Sequence, residues 1–347
     1  MTLGSLFDGI GGWLLAAKHA GIEPLWSSEI EAFPCAVTKH HFPEVLQLGD
    51  ITKLDGARLW PVDIICAGSP CQDLSVAGKQ EGLKGERSGL FRDAIRLVRD
   101  MRRASGGKYP RFFVWENVPG AFSSNKGMDF LAVLGEIGQA KLPIPQNGKW
   151  ANAGMVELPR CEIAWRVLDA QYWGVPQRRK RIFLVADFAE SGRSAAKILF
   201  EREGVRGDNS TGGATGEGTS AGIENRVGNT IVRLRAGKPG GGKGALISNE
   251  KSLSLKSDND QVLFCEKTAS TLRADAGAPK HMSDMICGKS VRRLTPTECE
   301  RLQGLPDNYT LIDDKTCSDT ARYKALGNGM AQPCADYVIK RIVEVTT

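Results

Sequence analysis

The stretch Leu3-Gly4-Ser5-Leu6-Phe7-Asp8-Gly9-Ile10-Gly11-Gly12-Trp13-Leu14-Leu15-Ala16-Ala17 decides the fold class. Leu3–Phe7 reads as a strand, Gly9, Gly11 and Gly12 make a turn, and Trp13 to Ala17 continue as an apolar helical segment. Strand, glycine turn and helix in that order open a βαβ unit, whose backbone can approach a ligand closely at the carboxyl end of the strand. Outward from this unit the pattern repeats. Pro24–Ser28 reads as a second strand, and Val62–Ala67 and Phe112–Trp115 read as buried strands bounded by Pro or Gly. Ile163–Gln171 and Arg181–Asp187 read as two later strands flanking a basic loop. Short apolar runs alternating with amphipathic segments predict an α/β fold with a mostly parallel sheet.

The chain has 347 residues, 41% hydrophobic and 25% charged, which suffices for a buried core and excludes disordered, collagenous and fibrous classes. The length fits two domains, or one with an insertion. Thirteen of the 40 glycines fall in 204–244, a stretch too poor in apolar residues to form a core alone, so it reads as a linker. All seven Trp lie in 1–173. The net charge of +6 permits a polyanionic partner without requiring one. Much of the basic excess sits between Arg92 and Arg111, where helical spacing predicts a solvated helix face, and in Arg178-Arg179-Lys180-Arg181. The nine cysteines include no CxxC pair, so no metal site is expected. The amino terminus lacks a signal-peptide pattern, and no apolar run approaches the roughly 18 residues of a membrane span, so a reducing cytoplasm is expected.

Three further constellations carry chemistry. Glu29, at the end of the second strand, is placed to accept hydrogen bonds from ribose hydroxyls, and Asp50 is placed to meet an adenine amino group. With the glycine turn they point to an adenosine-containing cofactor, leaving a dinucleotide and S-adenosylmethionine both open. Cys71, in Gly68-Ser69-Pro70-Cys71-Gln72, follows the strand Val62–Ala67 and emerges at the ligand-binding edge, where a thiolate can act as a nucleophile, although many free cysteines are core hydrophobes. Glu116, in Trp115-Glu116-Asn117-Val118-Pro119, puts a carboxylate at the same edge as a candidate general acid, against the alternative of a cap or surface carboxylate. Around Gln177 the basic run alternates, so that Arg179 and Arg181 share one face and Arg178 and Lys180 the other.

With these pieces in this order, the sequence resembles the DNA (cytosine-5)-methyltransferases. The resemblance rests on Phe7 to Gly12, Pro70-Cys71-Gln72, Glu116-Asn117-Val118, Gln177 with Arg179 and Arg181, the segment Arg293 to Asp307, and Gly327-Asn328-Gly329-Met330. It covers about 1–187 and 291–347. It departs from commoner family choices at Asp8, at Ser69 and at Gly329-Met330.

The resemblance implies a Rossmann-like domain dependent on S-adenosyl-L-methionine, formed from 1–187 and 312–347, and a smaller irregular target-recognition domain at 188–311. It implies a catalytic set of Cys71, Glu116, Arg179 and Arg181. A cofactor pocket would use Phe7, Gly9, Ile10, Gly11, Glu29, Ile30, Asp50, Ile51, Pro70, Leu90, Asn328 and Met330. Contacts to DNA would come from Gln72, Arg178, Arg226, Arg233, Arg235, Thr271 and Arg273, with Thr230-Ile231 competing with Thr271-Leu272 for the Thr-Leu pair typical of that region. The implied partner is double-stranded DNA, with a restriction endonuclease as a functional companion and the enzyme itself a monomer. Rival readings are an RNA-directed relative, a catalytically silent DNA-binding regulator and a nicotinamide-dependent oxidoreductase.

Overall fold

A computed structural model of the chain describes residues 1–69, 89–200, 230–233, 246–248, 252–253, 261–265 and 290–347. They fall into two compact units, one drawn from Met1–Asp169, Lys180–Asn209 and Cys334–Thr347, the other from Ala170–Arg179 and Ser210–Pro333.

The first unit is built on an eight-stranded sheet. Its strands are β1 (Thr2–Leu6), β2 (Glu23–Ser28), β3 (Leu46–Gln47), β4 (Ile64–Ala67), β5 (Phe112–Asn117), β6 (Ala153–Leu158), β7 (Cys161–Asp169) and, beyond a two-residue strand β8 (Gln177–Arg178) of the second unit, β9 (Lys180–Asp187). The order is β3-β2-β1-β4-β5-β9-β7-β6. The first five pair in parallel, while β9 and β6 run against their neighbours, so six of eight strands point the same way. The expectation of a mostly parallel α/β sheet holds.

Local chemistry explains the central strands. All four residues of β4 are buried, as a strand covered on both faces requires. In β1, Gly4 is needed for close approach, because a Cβ there would sit inside the indole of Trp26 on β2. Helix α1 (Gly12–His19) crosses from β1 to β2 and buries Trp13, Leu14, Ala16 and Ala17. The next helix, α2 (Ala32–His41), follows β2, and α3 (Leu90–Ala104) precedes β5. Helix α3 buries Phe91, Ala94, Ile95, Leu97, Val98 and Met101, an i, i+3, i+4, i+7 face. Its arginines are more than a solvated face. Arg96 donates to the Leu54 and Ile51 carbonyls and pairs with Asp93, and Arg99 reaches the Glu136 carboxylate of α4 (Met128–Gly138).

Two readings of the sequence need adjustment. The strand expected at Ile163–Gln171 is Cys161–Asp169, followed by a 3-10 turn over Ala170–Tyr172. Strand β6 was not anticipated, because its residues are largely exposed or half-exposed at the sheet edge and give no continuous apolar run.

In the second unit, β10 (Thr230–Arg233), β11 (Leu246–Ser248), β13 (Gln261–Cys265) and β14 (Ser290–Arg293) form an antiparallel sheet in the order β11-β10-β13-β14. Strand β12 (Ser252–Leu253) pairs in parallel with β8. The helix Pro296–Gln303 begins with a capping box, in which the Thr295 hydroxyl accepts from the Glu298 N–H and the Glu298 carboxylate accepts from the Thr295 N–H. Glu300 on that helix is fully buried. It pairs with Arg322 at 3.0 Å and accepts from the backbone N–H groups of Asn308 and Thr310.

Removing one partner of a buried pair leaves the other charge uncompensated, at a cost of about 3–5 kcal/mol. Arg322→Met is therefore expected to lower the thermal midpoint of the second unit, measured by calorimetry. An unchanged midpoint would mean that the pair contributes nothing to stability.

Candidate active site

Strand order places a topological switch point between β1 and β4. From β1 the chain winds outward through β2 and β3, and from β4 it winds the other way into β5. The carboxyl ends of β1 and β4 at this point mark a crevice, the usual ligand position in open α/β sheets. The sequence-derived candidates among the described residues of the first unit lie along this edge.

After β1 the backbone enters the left-handed region at Phe7 (φ 55), Gly9 (φ 58) and Gly11 (φ 85). For Phe7 that conformation costs about 1–2 kcal/mol, so the surrounding bonds must hold it. The Glu29 carboxylate supplies one of them: Oε2 accepts from the Gly9 N–H at 2.9 Å, and Oε1 accepts from the N–H groups of Ile30 and Glu31. Open space lies where a Cβ of Gly9 or Gly49 would point. Ile30 beside it is 74% exposed, an apolar side chain left uncovered at the rim. Asp50 caps a 3-10 turn, Ile51–Lys53, by accepting from the Thr52 hydroxyl and N–H, and those bonds hold its carboxyl below the usual range. Ile10 and Ile51 are buried beneath the rim, and Leu90 is half-buried at the start of α3.

Asp8 is the unusual member. It is buried, accepts from the Ser5 hydroxyl at 2.5 Å and the Thr38 hydroxyl at 3.4 Å, and lies within the electrostatic reach of Glu29. Burial pushes its carboxyl up to about 7, the Ser5 bond opposes this, Glu29 adds to it and the Thr38 bond opposes it.

Across the crevice, Glu116 ends β5 and pairs with Arg181 at the start of β9, Nε to Oε1 at 2.9 Å, with both side chains mostly buried. A Cβ on Gly68 would stand 3.6 Å from Glu116 Oε2 and 3.9 Å from the Phe7 carbonyl, so the ends of β1, β4 and β5 converge there. Ser69 is buried next to it. Its hydroxyl accepts from the Trp115 indole N–H at 2.9 Å, and its carbonyl accepts from the Asn117 amide at 3.0 Å. Asn117 Oδ1 in turn accepts from the Val118 N–H. These bonds escaped the sequence reading, although Ser69 and the Asn of Glu-Asn-Val were visible as polar residues at strand ends.

Burial alternates along the basic run, with Arg178 and Lys180 exposed, Arg179 only 1% exposed and Arg181 half-buried. In the second unit the Arg179 guanidinium donates to the carbonyls of Gly327 (3.0 Å) and Gly329, which flank Asn328. Asn328 ends the helix Asp319–Asn328 and is exposed, and Met330 is half-buried. Arg233 is the last residue of β10. Pro70, Cys71, Gln72, Arg226, Arg235, Thr271 and Arg273 lie outside the described residues, as does most of the Gly-rich stretch. Among the described residues no group of three His, Cys, Asp or Glu gathers to hold a metal, and no helix is long and apolar enough to cross a membrane.

Comparison with known proteins agrees with this geometry. The model of the C-5 cytosine-specific DNA methylase family matches residues 1–344. A protein of Escherichia phage P1 named DNA N-6-adenine-methyltransferase is 31% identical over 99% of this chain, which spans 61% of that relative's length. The type II methyltransferase M.HhaI of Haemophilus parahaemolyticus is 26% identical over 97% of this chain and 92% of its own. In fold, the chain matches a Spodoptera frugiperda DNMT2 mutant with a TM-score of 0.59 at 18% identity, covering 99% of this chain and 98% of that one.

Two outcomes follow from the bonds at this edge. Ser69→Ala leaves the Trp115 N–H buried without an acceptor, and is expected to lower unfolding free energy by about 1–3 kcal/mol in urea titrations. Retention of wild-type stability would show that the indole finds another partner. For Asp8, the pKa rises from 3.8 unfolded to about 7 folded. The stability this provides is present at pH below 3.8 and is lost as pH climbs to about 7, an effect of a few kcal/mol (~) at most. Asp8→Asn should therefore flatten the dependence of unfolding free energy on pH between 4 and 8 (~); parallel profiles for the two proteins would contradict it.

Proposed function

The chain belongs to the C-5 cytosine-specific DNA methylase family, and from that premise we propose that it transfers a methyl group from S-adenosyl-L-methionine to carbon 5 of a cytosine flipped out of double-stranded DNA. The observation that carries this reading is the Glu116–Arg181 pair beside Gly68, a carboxylate and a guanidinium held where the ends of β1, β4 and β5 converge.

The crevice suits this cofactor better than a dinucleotide. A dinucleotide places its pyrophosphate against the backbone N–H groups of the glycine turn. Here the Gly9 N–H already binds the Glu29 carboxylate and is not free to hold a phosphate. Asp50 is paired with Lys53 at 3.5 Å, so it is the Glu29 carboxylate that disfavours a pyrophosphate and favours a cation. When bound, S-adenosyl-L-methionine supplies a sulfonium-activated methyl group. Glu29 would accept from the ribose hydroxyls, Ile30 would cover the adenine ring, and Asp50 would meet its amino group, with Phe7, Gly9, Ile10, Gly11, Ile51, Pro70 and Leu90 completing the pocket. Asn328 and Met330 lie on the turn of the second unit that Arg179 holds.

Cytosine carbon 5 is a poor nucleophile. The Cys71 thiolate adds to carbon 6, forming a carbon–sulfur bond and turning the ring into an enamine. Glu116 acts as general acid, sharing its proton with ring nitrogen 3 and so stabilising the negative charge that develops there, while Arg181 orients the Glu116 carboxyl group. Carbon 5 of the enamine then takes the methyl group as the methyl–sulfonium bond breaks, its electron pair leaving with S-adenosyl-L-homocysteine. A base removes the carbon 5 proton, and the electrons of that C–H bond expel Cys71 as thiolate as the carbon–sulfur bond breaks. A base inside the stacked duplex cannot be attacked from above, so it is extruded at a cost of about a few kcal/mol. The region 188–311 reads the DNA sequence, with Arg178, Gln72 and the arginines at 226, 233, 235 and 273 as contacts.

The name of the phage relative raises adenine N6 methylation as a second reading. The exocyclic nitrogen of adenine needs no thiol adduct, and the Pro-Cys-Gln and Glu-Asn-Val segments have no part in that chemistry. Expression in a host without DNA methylation, followed by sequencing that distinguishes 5-methylcytosine from N6-methyladenine, tests both. Cys71→Ala is expected to abolish 5-methylcytosine, and Glu116→Gln to reduce kcat at least 100-fold (~) while the protein stays folded with a lowered thermal midpoint, because Arg181 loses its partner. N6-methyladenine that persists in Cys71→Ala would overturn the cytosine reading.

A further inference from the structure

Helix α3 and its neighbours form a second cavity, of about 530 Å³, at the opposite end of the sheet. Its walls come from the later turns of α3, the end of α4, the turn between β6 and β7 at Pro159 and Arg160, and the residues after β9. Strand β5 begins beside it, since Phe112 pairs with Asp187, and carries Glu116 at its far end. At about 3.3 Å per residue, the cavity therefore lies on the order of 13 Å or more from Glu116.

Five guanidiniums line it: Arg99, Arg102, Arg103, Arg160 and Arg193. Their charges are met unequally. Arg99 pairs with Glu136 and Arg103 with Asp100. Arg102 donates instead to the carbonyls of Pro110 and Phe188, Arg160 to the amide oxygen of Gln139, and Arg193 to the carbonyls of Ala189, Leu158 and Pro159. A carbonyl satisfies a donor but does not cancel a charge. Among the described residues, three cations without an ion pair thus share one cleft with one further lining carboxylate, Glu190. In addition, the Arg99 Nε–H is buried with no acceptor. Burial also pulls the Arg102 pKa down, against the opposing pull of Cys161, Asp187 and Glu190.

The other half of the lining is apolar, from Ile95, Val98, Ile137 and Phe188, and the Arg102 guanidinium lies 4.7 Å from the Phe188 ring centre. A shallower cavity of about 250 Å³, lined in part by Lys108 and Arg111, continues from Arg102 and Phe188. A concave, half-apolar site of this volume suits a compact organic ligand. A duplex backbone meets protein on open basic surface and needs no apolar wall.

We propose that this arginine-lined cleft binds a nucleoside polyphosphate, its apolar wall covering the base and its guanidiniums holding the phosphate chain. The site is separate from the crevice between β1 and β4 and does not rest on the methyl-transfer reading.

The test is a fluorescence titration of the full chain with a ribose-labelled nucleoside triphosphate at low salt. Saturable binding is expected, with Kd on the order of 10–100 μM, displaced by inorganic pyrophosphate and not by S-adenosyl-L-homocysteine. Arg103→Glu combined with Arg160→Glu, both on exposed side chains, should weaken it at least tenfold. Arg160→Glu alone, whose side chain donates to Gln139, should weaken it several-fold if the double variant does not fold. Displacement by S-adenosyl-L-homocysteine, unchanged affinity in Arg160→Glu, or no saturation by about 1 mM would overturn the proposal. So would a short duplex that displaces the label at lower concentration than pyrophosphate, which would make the cleft a nucleic-acid surface.

Discussion

Parallel pairing of β1 with β4 is the constraint from which the rest of the first unit follows. Both strands deliver their carboxyl ends to one edge, and the chain continues from them to opposite sides of the sheet, to β2 and to β5. Backbone groups just past those ends still need partners. They find them on the adjacent strand ends: the Asp8 N–H goes to the Ser28 carbonyl, the Gly9 N–H to Glu29, the Gly68 N–H to the Leu6 carbonyl, and the Ser69 carbonyl to Asn117. The edge is thus stitched sideways, strand end to strand end, which holds the crevice open while fixing its walls.

Stitching by carboxylates has an electrostatic consequence. Glu29 and Asp50 each accept from N–H or hydroxyl donors at the rim. Asp8 also accepts from the Ser5 and Thr38 hydroxyls, but its burial outweighs them and pushes its carboxyl up to about 7. Glu116 differs again, because Arg181 neutralises it at 2.9 Å and so allows a carboxylate to be mostly buried beside the point where the strands converge.

Much of this architecture was legible in the sequence because its causes are local. The apolar run of β4 and the glycines at 9 and 11 each encode their own conformation, and Glu29 falls at the expected distance from them. Strand β6 was missed because an edge strand in a hairpin has no continuous apolar signature, and the start of β7 was misplaced by two residues where Cys161 and Glu162 lead into the buried run. Partners distant in sequence were not legible either. Nothing in Gly-Ser-Pro announces that the Ser69 hydroxyl meets an indole 46 positions away, or that Arg179 is bonded to carbonyls at 327 and 329. Residue types at strand ends could be read as candidates, whereas their pairing depends on strand order, which no single segment contains.

The two ends of the sheet also explain why a net charge of +6 says little about partners. At the carboxyl edge the rim carries Glu29 and Asp50, and at the amino edge five arginines line one cleft. Helix α3 contributes to this polarity, since its last turns carry Arg99, Arg102 and Arg103. Arginines in a C-terminal turn are favoured by the helix dipole, but Arg99 and Arg102 are also fixed by carbonyls of other elements, which holds their charge in place rather than letting it disperse into solvent. A dispersed basic helix would have raised only the general affinity for polyanions. Anchoring the guanidiniums concentrates that affinity in one concave place, separated from the acidic crevice by the length of β5.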